Sequence, residues 1–530
     1  MSLVLREIPL TLDEDEGRLA AKVAEQLGVG PEEILDVRIL RRGIDARRKP
    51  QVLRVYAVAF RVANEAALLA RQQDNPRLQR QVEEPAPRLP QLTRPLRALV
   101  VGMGPAGLFA ALQLARSGAA VTLVERGRPL QDRVRDVRRF RQGGAFDAAS
   151  NIQFGEGGAG TFSDGKLTTR VKHPWTRSVL ETLVEFGAPG EILQQAKPHV
   201  GSDRLRLVLL RFRQALLELG VTIRYETRLT GLLANHGRIV AGVLEGREEC
   251  PCEALVLACG HSARDTYAML QEAGIRLESK PFAMGVRVEH PAEWINTIQY
   301  GLARHPCLPA AEYALTWNDP ASGRGCYSFC MCPGGEVLVA SSEPGGLVVN
   351  GMSHWRRAGD FSNSALVVAV RPEDFGATDA LAGVRFQRQW EERAFRAAGG
   401  DYHAPAQNLL AFLGRGQGPL RSTCRPGVRE ADLNQVLPEF VATGLRRALP
   451  HFERRMRGFI TAEATLVGIE TRTSAPLRIL RGADGQSVSL AGLYPAGEGA
   501  GYAGGIMSAA LDGLRTAEHI LSLERSRSSH

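Results

Sequence analysis

The stretch RALVVGMGPAGLFAALQLARSGAAVTLVERG, residues 97–127, limits the fold more than any other part of this 530-residue chain. Its periodicity predicts a strand over 98–101, a helix over 106–116 and a second strand over 120–125. Between strand and helix, Gly102, Gly104 and Gly107 stand in Gly-x-Gly-x-x-Gly spacing, with Pro105 and Ala106 between the last two glycines. That arrangement predicts a dinucleotide-binding unit. Its first glycine permits the turn, its second lets a pyrophosphate approach the backbone, and its third lets helix pack on strand. The helix start adds unbonded N–H groups and the positive end of the helix dipole. Glu125 ends the second strand 125 − 107 = 18 residues after the last glycine, where a carboxylate bonds the ribose hydroxyls, and Arg126 follows it. The segment 98–115 is uncharged and about as long as the shortest membrane-spanning helix. Its glycines and Pro105 favour strand, turn and helix instead.

A second glycine cluster lies far downstream. In YPAGEGAGYAGGIMSAALDG, residues 494–513, five glycines precede an apolar-periodic run. The order reads as a strand over 488–494, a glycine turn with Glu498, and a helix over 506–521. The wording GMGPAGL followed by VERG resembles FAD-binding more than NAD-binding motifs, and two-part flavoproteins return to their cofactor with their last segment. Both clusters would then grip one extended FAD. Glu498 would bond a ribitol hydroxyl. Gly497, Gly501, Gly504, Gly505 and Ile506 would pass the pyrophosphate and the ring edge. The alternative is a glycine-rich turn that serves helix packing.

Several long stretches carry a family resemblance: SNIQFGEGGAGTFSDGKL (150–167), KPHVGSDRLR (197–206), LACGHSARDTY (257–267), FAMGVRVEHP (282–291), GRGCYSFCMCPGGEV (323–337), GLVVNGMS (346–353) and ETRTSAPLRI (470–479). From about residue 93 onward the chain resembles bacterial FAD-dependent dehydrogenase-like proteins, with the topology of the glutathione-reductase-type flavoproteins. The resemblance implies an α/β fold: a Rossmann-like FAD-binding domain with an inserted mixed α+β substrate domain. It further implies that Gly155, Gly157, Gly158, Gly160 and Thr161 run along the isoalloxazine face. Ala258 and Gly260 would open onto the pyrophosphate. Lys166 is a candidate cation for the flavin N1–O2 edge, or else a surface lysine in a turn. His261 is a catalytic candidate or a loop histidine. Arg472, with Arg287, Glu289 and Thr473, would line the junction of the two domains, as a substrate contact or in a structural ion pair. The disulfide reductases of this topology place a cysteine pair beside the flavin, whereas residues 154–167 hold no cysteine, so a dithiol relay of that type is not expected.

Ahead of this region, residues 1–72 read as a small βαββα module and 73–95 as a linker. The FAD domain is expected over 96–282 and 465–525, the insert over 283–464, and a tail over 526–530. The hairpin of the module gathers Arg41, Arg42, Arg47, Arg48 and Lys49. No aromatic residue is interleaved for base stacking. A solvated loop is therefore expected ahead of an anion or RNA contact. The net charge, 66 − 57 = +9, is spread along the chain. Eight cysteines and a start without an apolar leader suggest free thiols in a reducing cytoplasm. Cys326, Cys330 and Cys332 lack the partner pair a zinc site needs, so no metal is expected. The expected function is an FAD-dependent oxidoreductase that moves hydride to or from an unidentified small molecule. NAD(P)H would be at most a transient donor, since no second dinucleotide unit is visible. A flavin-dependent RNA-modifying enzyme and a non-catalytic flavin-binding scaffold are the alternatives.

Overall fold

A computed structural model describes residues 2–82, 89–169 and 171–528. At its centre is a five-stranded sheet in which every pairing is parallel. Strand Arg97–Val101 lies between Ala254–Leu257 and Ala120–Val124, and Leu493–Pro495 and Thr222–Arg224 form the edges. Parallel strands are covered on both faces and read as unbroken apolar runs. Accordingly Ala254, Leu255, Val256 and Leu257 are all buried. Helix Pro105–Arg116 follows the first strand, with its proline in the first turn, where the missing N–H has no intrahelical partner to lose. The long helix Ile506–Ser528 packs along it. The segment 98–115 is thus strand, turn and helix. Among the described residues no helix is long and apolar enough to cross a membrane.

The insert is built on a seven-stranded mixed sheet. Its order is Thr316–Asp319, Arg324–Cys332, Phe361–Val370, Phe282–Pro291, Thr465–Glu470, Ala404–Asn408 and Val428–Glu430. Helices Ala382–Ala397 and Glu439–Arg455 cover it, and Phe386, Leu445, Leu449 and Phe452 join its core. Residues 465–470, read from sequence as the start of the returning FAD segment, are a buried strand of this sheet. They pair with the 282–291 strand from Gly285↔Glu470 to Glu289↔Thr465. The chain returns to the parallel sheet after residue 470, where Leu477–Ile479 pairs with Leu277–Ser279. The last parallel strand, expected over 488–494, forms at Leu493–Pro495, because Gly492 turns the chain at φ +80° just before it.

The N-terminal module has its own core, including Leu3, Leu5, Val58 and Phe60. Its antiparallel sheet runs Leu35–Asp45, Leu53–Arg61, Leu3–Leu10, Leu78–Arg80. The fourth strand lies inside the stretch 73–95 that reads as linker. At three residues it is too short to show an alternating pattern, yet Leu78 pairs with Leu5 and is buried. Residues 83–88 of that stretch lie outside the described residues. The basic hairpin is solvated at Arg41, Arg47, Arg48 and Lys49, which are exposed, and docked through the backbone of Arg42. The Arg42 N–H donates to the Gln194 carbonyl at 2.6 Å, and the Ala196 N–H donates back to the Arg42 carbonyl at 2.7 Å.

Candidate functional site

At the C-terminal ends of the strands Arg97–Val101, Ala254–Leu257 and Leu493–Pro495 lies a cleft of about 380 Å³. This is where open α/β sheets bind ligands. Its lining includes Gly102, Gly104, Pro105, Ala106, Glu125 and Arg126 from the first glycine turn and strand, Gly158, Gly160, Lys166, Ala258, Gly260 and His261 from the middle of the domain, and Gly497, Glu498, Gly504, Gly505 and Ile506 from the second glycine cluster. The insert contributes Phe329, Cys330, Asn350, Glu470, Arg472 and Thr473.

Four residues expected along the cofactor, Gly155, Gly157, Thr161 and Gly501, pack elsewhere, while Gly107 packs the helix on the turn and strand as its place in the spacing predicts. A Cβ at Gly107 would lie 1.9 Å from the Gly102 carbonyl oxygen, so this glycine serves the helix–turn contact. Gly155, Gly157 and Thr161 wrap around buried side chains instead of the cleft. A Cβ at Gly155 would meet Arg133 Cδ at 2.4 Å and one at Gly157 would meet Leu209 Cδ1 at 2.3 Å, while the Thr161 hydroxyl accepts from Arg133 at 3.1 Å. Gly501, at φ +84°, faces the Leu477 carbonyl oxygen, 2.5 Å from where its Cβ would be.

Arg133 is the organiser of that loop, and the sequence reading missed it. It is fully buried and donates to the carbonyls of Asn151, Ile152, Gly155 and Glu156 at 2.7–3.1 Å. Burial brings its pKa down to about 9. A signal was available. Leu130, Arg133, Val137 and Phe140 fall at helical spacing on one buried face of Leu130–Arg141, so this arginine sits where an apolar residue belongs.

Glu125 ties three backbone segments together. Its Oε2 accepts from the Met103 N–H at 2.9 Å, and its Oε1 accepts from the N–H groups of Gly127 and Gly155, each at 2.9 Å. It thereby fixes the glycine turn from behind and retains lone-pair capacity toward the cleft. Arg126 forms a forked pair with Asp265 at 2.7 and 3.1 Å and lies 4.1 Å over the Phe154 ring.

The cleft has room and polarity for a dinucleotide. A Cβ built at Gly260, Gly504 or Gly505 meets no atom within 4 Å, and one at Gly104 meets only the Gly158 Cα, at 4.0 Å. The helices Pro105–Arg116 and Ile506–Ser528 both start at this opening. Burial raises the Glu498 carboxyl to about 7 against a hydrogen bond from the Gly505 N–H and the charge of Lys280. A buried acid aimed into such a space suits a ligand hydroxyl.

Charged groups at the insert side are committed to one another. Lys166 pairs with Asp164 at 2.7 Å and donates to the Met331 carbonyl. Arg357 binds the same aspartate through Nε at 2.9 Å and Glu312 through a terminal nitrogen at 2.8 Å. Burial opposes the charge on Lys166, but Asp164 and the two nearby cysteines hold its pKa above the ordinary lysine value. Arg472 and Arg264 clasp the buried carboxylate of Glu391 from two sides, at 2.7–3.0 Å. Arg472 also donates to Ser262 Oγ at 2.9 Å. It is therefore an anchor of the domain junction, with its guanidinium already occupied. Arg287 pairs with Glu470 at 2.7 Å, Thr473 exchanges hydrogen bonds with Ala283, and Glu289 is held by Ser422 and Thr423. His261 stands beside Ser262 Oγ at 3.0 Å. Burial, then Arg472 and Arg264, push its pKa down to about 3, so its ring is neutral at ordinary pH.

Residues 281–473 match a family described as "FAD-dependent protein, C-terminal domain-like", and residues 4–61 match a domain of unknown function, DUF8436. A protein of Clostridium beijerinckii, described as "Uncharacterized protein", is 43% identical over 528 residues, covering 98% of this chain and 99% of its own length. The chain belongs to that protein's family. Among solved structures, CtdE in complex with FAD is 10% identical with a TM-score of 0.32, covering 82% of this chain and 90% of its own. Glycerol-3-phosphate dehydrogenase from Bacillus halodurans complexed with FAD is 12% identical with a TM-score of 0.35, covering 83% and 66%. Superpositions this loose say nothing about the chemistry of the present cleft.

Proposed function

We propose that this protein is an FAD-dependent oxidoreductase that transfers hydride between its flavin and a small molecule. The observation that carries the reading is the convergence of two helix starts and open glycine backbone on one cleft that Glu125 and Glu498 both line. The N–H groups of Gly104 and Ala106 would hold the pyrophosphate, Glu125 the ribose and Glu498 the ribitol. Bound there, FAD would supply the two-electron chemistry. The chain's own residues do the rest. Lys166 keeps a positive charge beside the cleft, favouring negative charge on whatever lies against it. His261 lines the cleft as a neutral ring, because burial and the two arginines oppose its protonation, and it can offer hydrogen bonds to a ligand without adding charge. Phe154 and Phe329 give the walls apolar surface. Among the described residues the strand–glycine-turn–helix units at 97–116 and 493–528 both open onto this one cleft, so a nicotinamide donor would bind transiently at the flavin face, or the electrons would come from elsewhere.

The test is to purify the protein, release its cofactor and identify it by chromatography. FAD is expected, and Gly104→Val, which fills the phosphate side of the cleft, should fold without it. FMN alone, or a folded protein that takes up no flavin, would overturn the proposal.

A further inference from the structure

The cysteines at 326, 330 and 332 would share one face of a regular strand. The strand Arg324–Cys332 is not regular. Its register slips between Phe329 and Cys332, and Cys330 sits at φ +43°, a left-handed conformation that a non-glycine residue adopts only when its surroundings impose it. The bulge separates the three thiols. Cys326 stays in the core, with its Sγ 3.7 Å from the Gly444 carbonyl. Cys330 comes out onto the cleft wall, partly exposed. Cys332 remains buried behind it, its thiol donating to the Cys330 carbonyl oxygen at 3.5 Å.

Two cations pin this turn. Arg287 donates to the Cys330 carbonyl at 2.6 Å and lies 3.8 Å from Cys332 Sγ, and Lys166 donates to the Met331 carbonyl. Bulges that re-aim a side chain are common next to active sites. Here the re-aimed side chain is a thiol, its neighbour is a second thiol, and both lie beside two fixed positive charges.

We propose that Cys330 and Cys332 are a redox-active dithiol that exchanges two electrons with the flavin bound in the cleft; this rests on the FAD reading above. In the oxidising direction two S–H bonds break and one S–S bond forms. The two electrons and two protons released reduce oxidised flavin to its dihydro form. In the other direction the reduced flavin returns them and the disulfide opens. Cys330, on the cleft wall, is the thiol that meets flavin or substrate, and the buried Cys332 resolves it. The hydrogen bond from Cys332, then Lys166 and Arg287 acting against burial, lower the pKa of Cys330 well below the ordinary thiol value, while Cys332 is raised. An attacking thiol with a buried, protonated resolving partner has that asymmetry. A dithiol pair next to the flavin was not expected from residues 154–167, and this one arrives from the other domain.

The test uses the full chain and two independent readouts. First, mild oxidation of wild-type protein with diamide, followed by peptide mass mapping, should show residues 330–332 joined by a disulfide, whether or not flavin is bound. Second, anaerobic reductive titration of the diamide-oxidised holoprotein should consume four electrons per flavin, and two in Cys330→Ser or Cys332→Ser. A wild-type protein that carries FAD, takes only two electrons and yields free thiols at 330 and 332 would overturn the dithiol and leave the FAD reading standing. A protein without flavin whose 330–332 disulfide still forms would instead locate the failure in the cofactor. The mapping needs no variant, so it decides even if the serine variants fail to fold.

Discussion

Gly513 packs on the backbone of Ala106: a side-chain carbon built on it would lie 2.1 Å from the Ala106 carbonyl oxygen. Helix Ile506–Ser528 and helix Pro105–Arg116 therefore touch main chain to main chain, which brings both of their N-termini to the same cleft. Any side chain at 513 must prise the two helices apart. Gly513→Val should cost about 3 kcal/mol of stability, at the upper end of overpacking effects. Chemical denaturation reads this directly, and a variant as stable as the parent would show that the helices have slack.

The glycines at 501 and 504 should behave oppositely. Nothing lies within 4 Å of a Cβ at Gly504, so Gly504→Leu should fold normally. Its side chain would occupy the cleft and lower FAD affinity at least about tenfold, roughly 1.4 kcal/mol. Gly501 faces the Leu477 carbonyl at positive φ, so Gly501→Ala should destabilise the fold by about 1–3 kcal/mol. Comparing unfolding midpoints with flavin titrations separates the two. Normal flavin affinity in Gly504→Leu would remove this turn from the cofactor site.

Glu391 is buried between Arg264 and Arg472, and Glu391→Gln leaves two buried guanidinium groups with only the partly exposed Glu343 as counter-charge, 2.6 Å from Arg264 and 3.9 Å from Arg472. The expected cost is about 3–5 kcal/mol. Burial works against the charge on Glu391, but the two arginines outweigh it and hold its carboxyl well below the ordinary carboxylate range. A depressed folded-state pKa gives stability that is fully present above the unfolded value of about 4.3 and is lost as pH falls below it. The gap between parent and variant should thus be constant near neutral pH and shrink under acid. Unfolding curves that keep the same gap at all pH values would contradict the assignment.

Cys330 should be alkylated by iodoacetamide with a half-maximal pH at least about one unit below the 8.5 of an ordinary thiol. Cys332, Lys166 and Arg287 favour the thiolate, while burial and the carboxyl groups of Asp164, Glu470 and Glu498 disfavour it. Lys166→Met should move the midpoint upward. A midpoint at the ordinary value in the folded parent would show that the cations do not act on this sulfur.

The sequence was most legible where geometry is local. Strand, glycine turn, helix and Glu125 lie within 30 residues of each other, and each is fixed by spacing, so the parallel sheet and one side of the cleft could be read directly. The second glycine cluster was legible as a turn before a helix. Which of its glycines face open space and which face Leu477 depends on a strand contributed from a different part of the chain. The same limit explains Arg133 and Cys330. Arg133 is visible as a misplaced charge on an apolar helix face, but its carbonyl partners at 151–156 come from a loop without periodicity. Cys330 depends on a bulge, and a one-residue slip leaves no mark in an otherwise ordinary strand pattern.

The strand Leu493–Pro495 and the helix behind it have a consequence for the order in which the molecule is made. On a ribosome the first four strands of the parallel sheet, and then the whole seven-stranded sheet, emerge before residue 493 does. Domains close as units from the N-terminal side, so the inserted sheet can be complete while the neighbouring layer still lacks its edge. The second helix start, Glu498 and the open glycines at 504 and 505 all belong to this final segment. A chain that has emerged only to residue 492 therefore carries all strands of the insert, with Cys330 and Cys332 in their bulge, and the Gly102–Gly104 turn without the residues at 497–506 that complete the cleft. On the FAD reading, capture of the cofactor would follow the emergence of those residues.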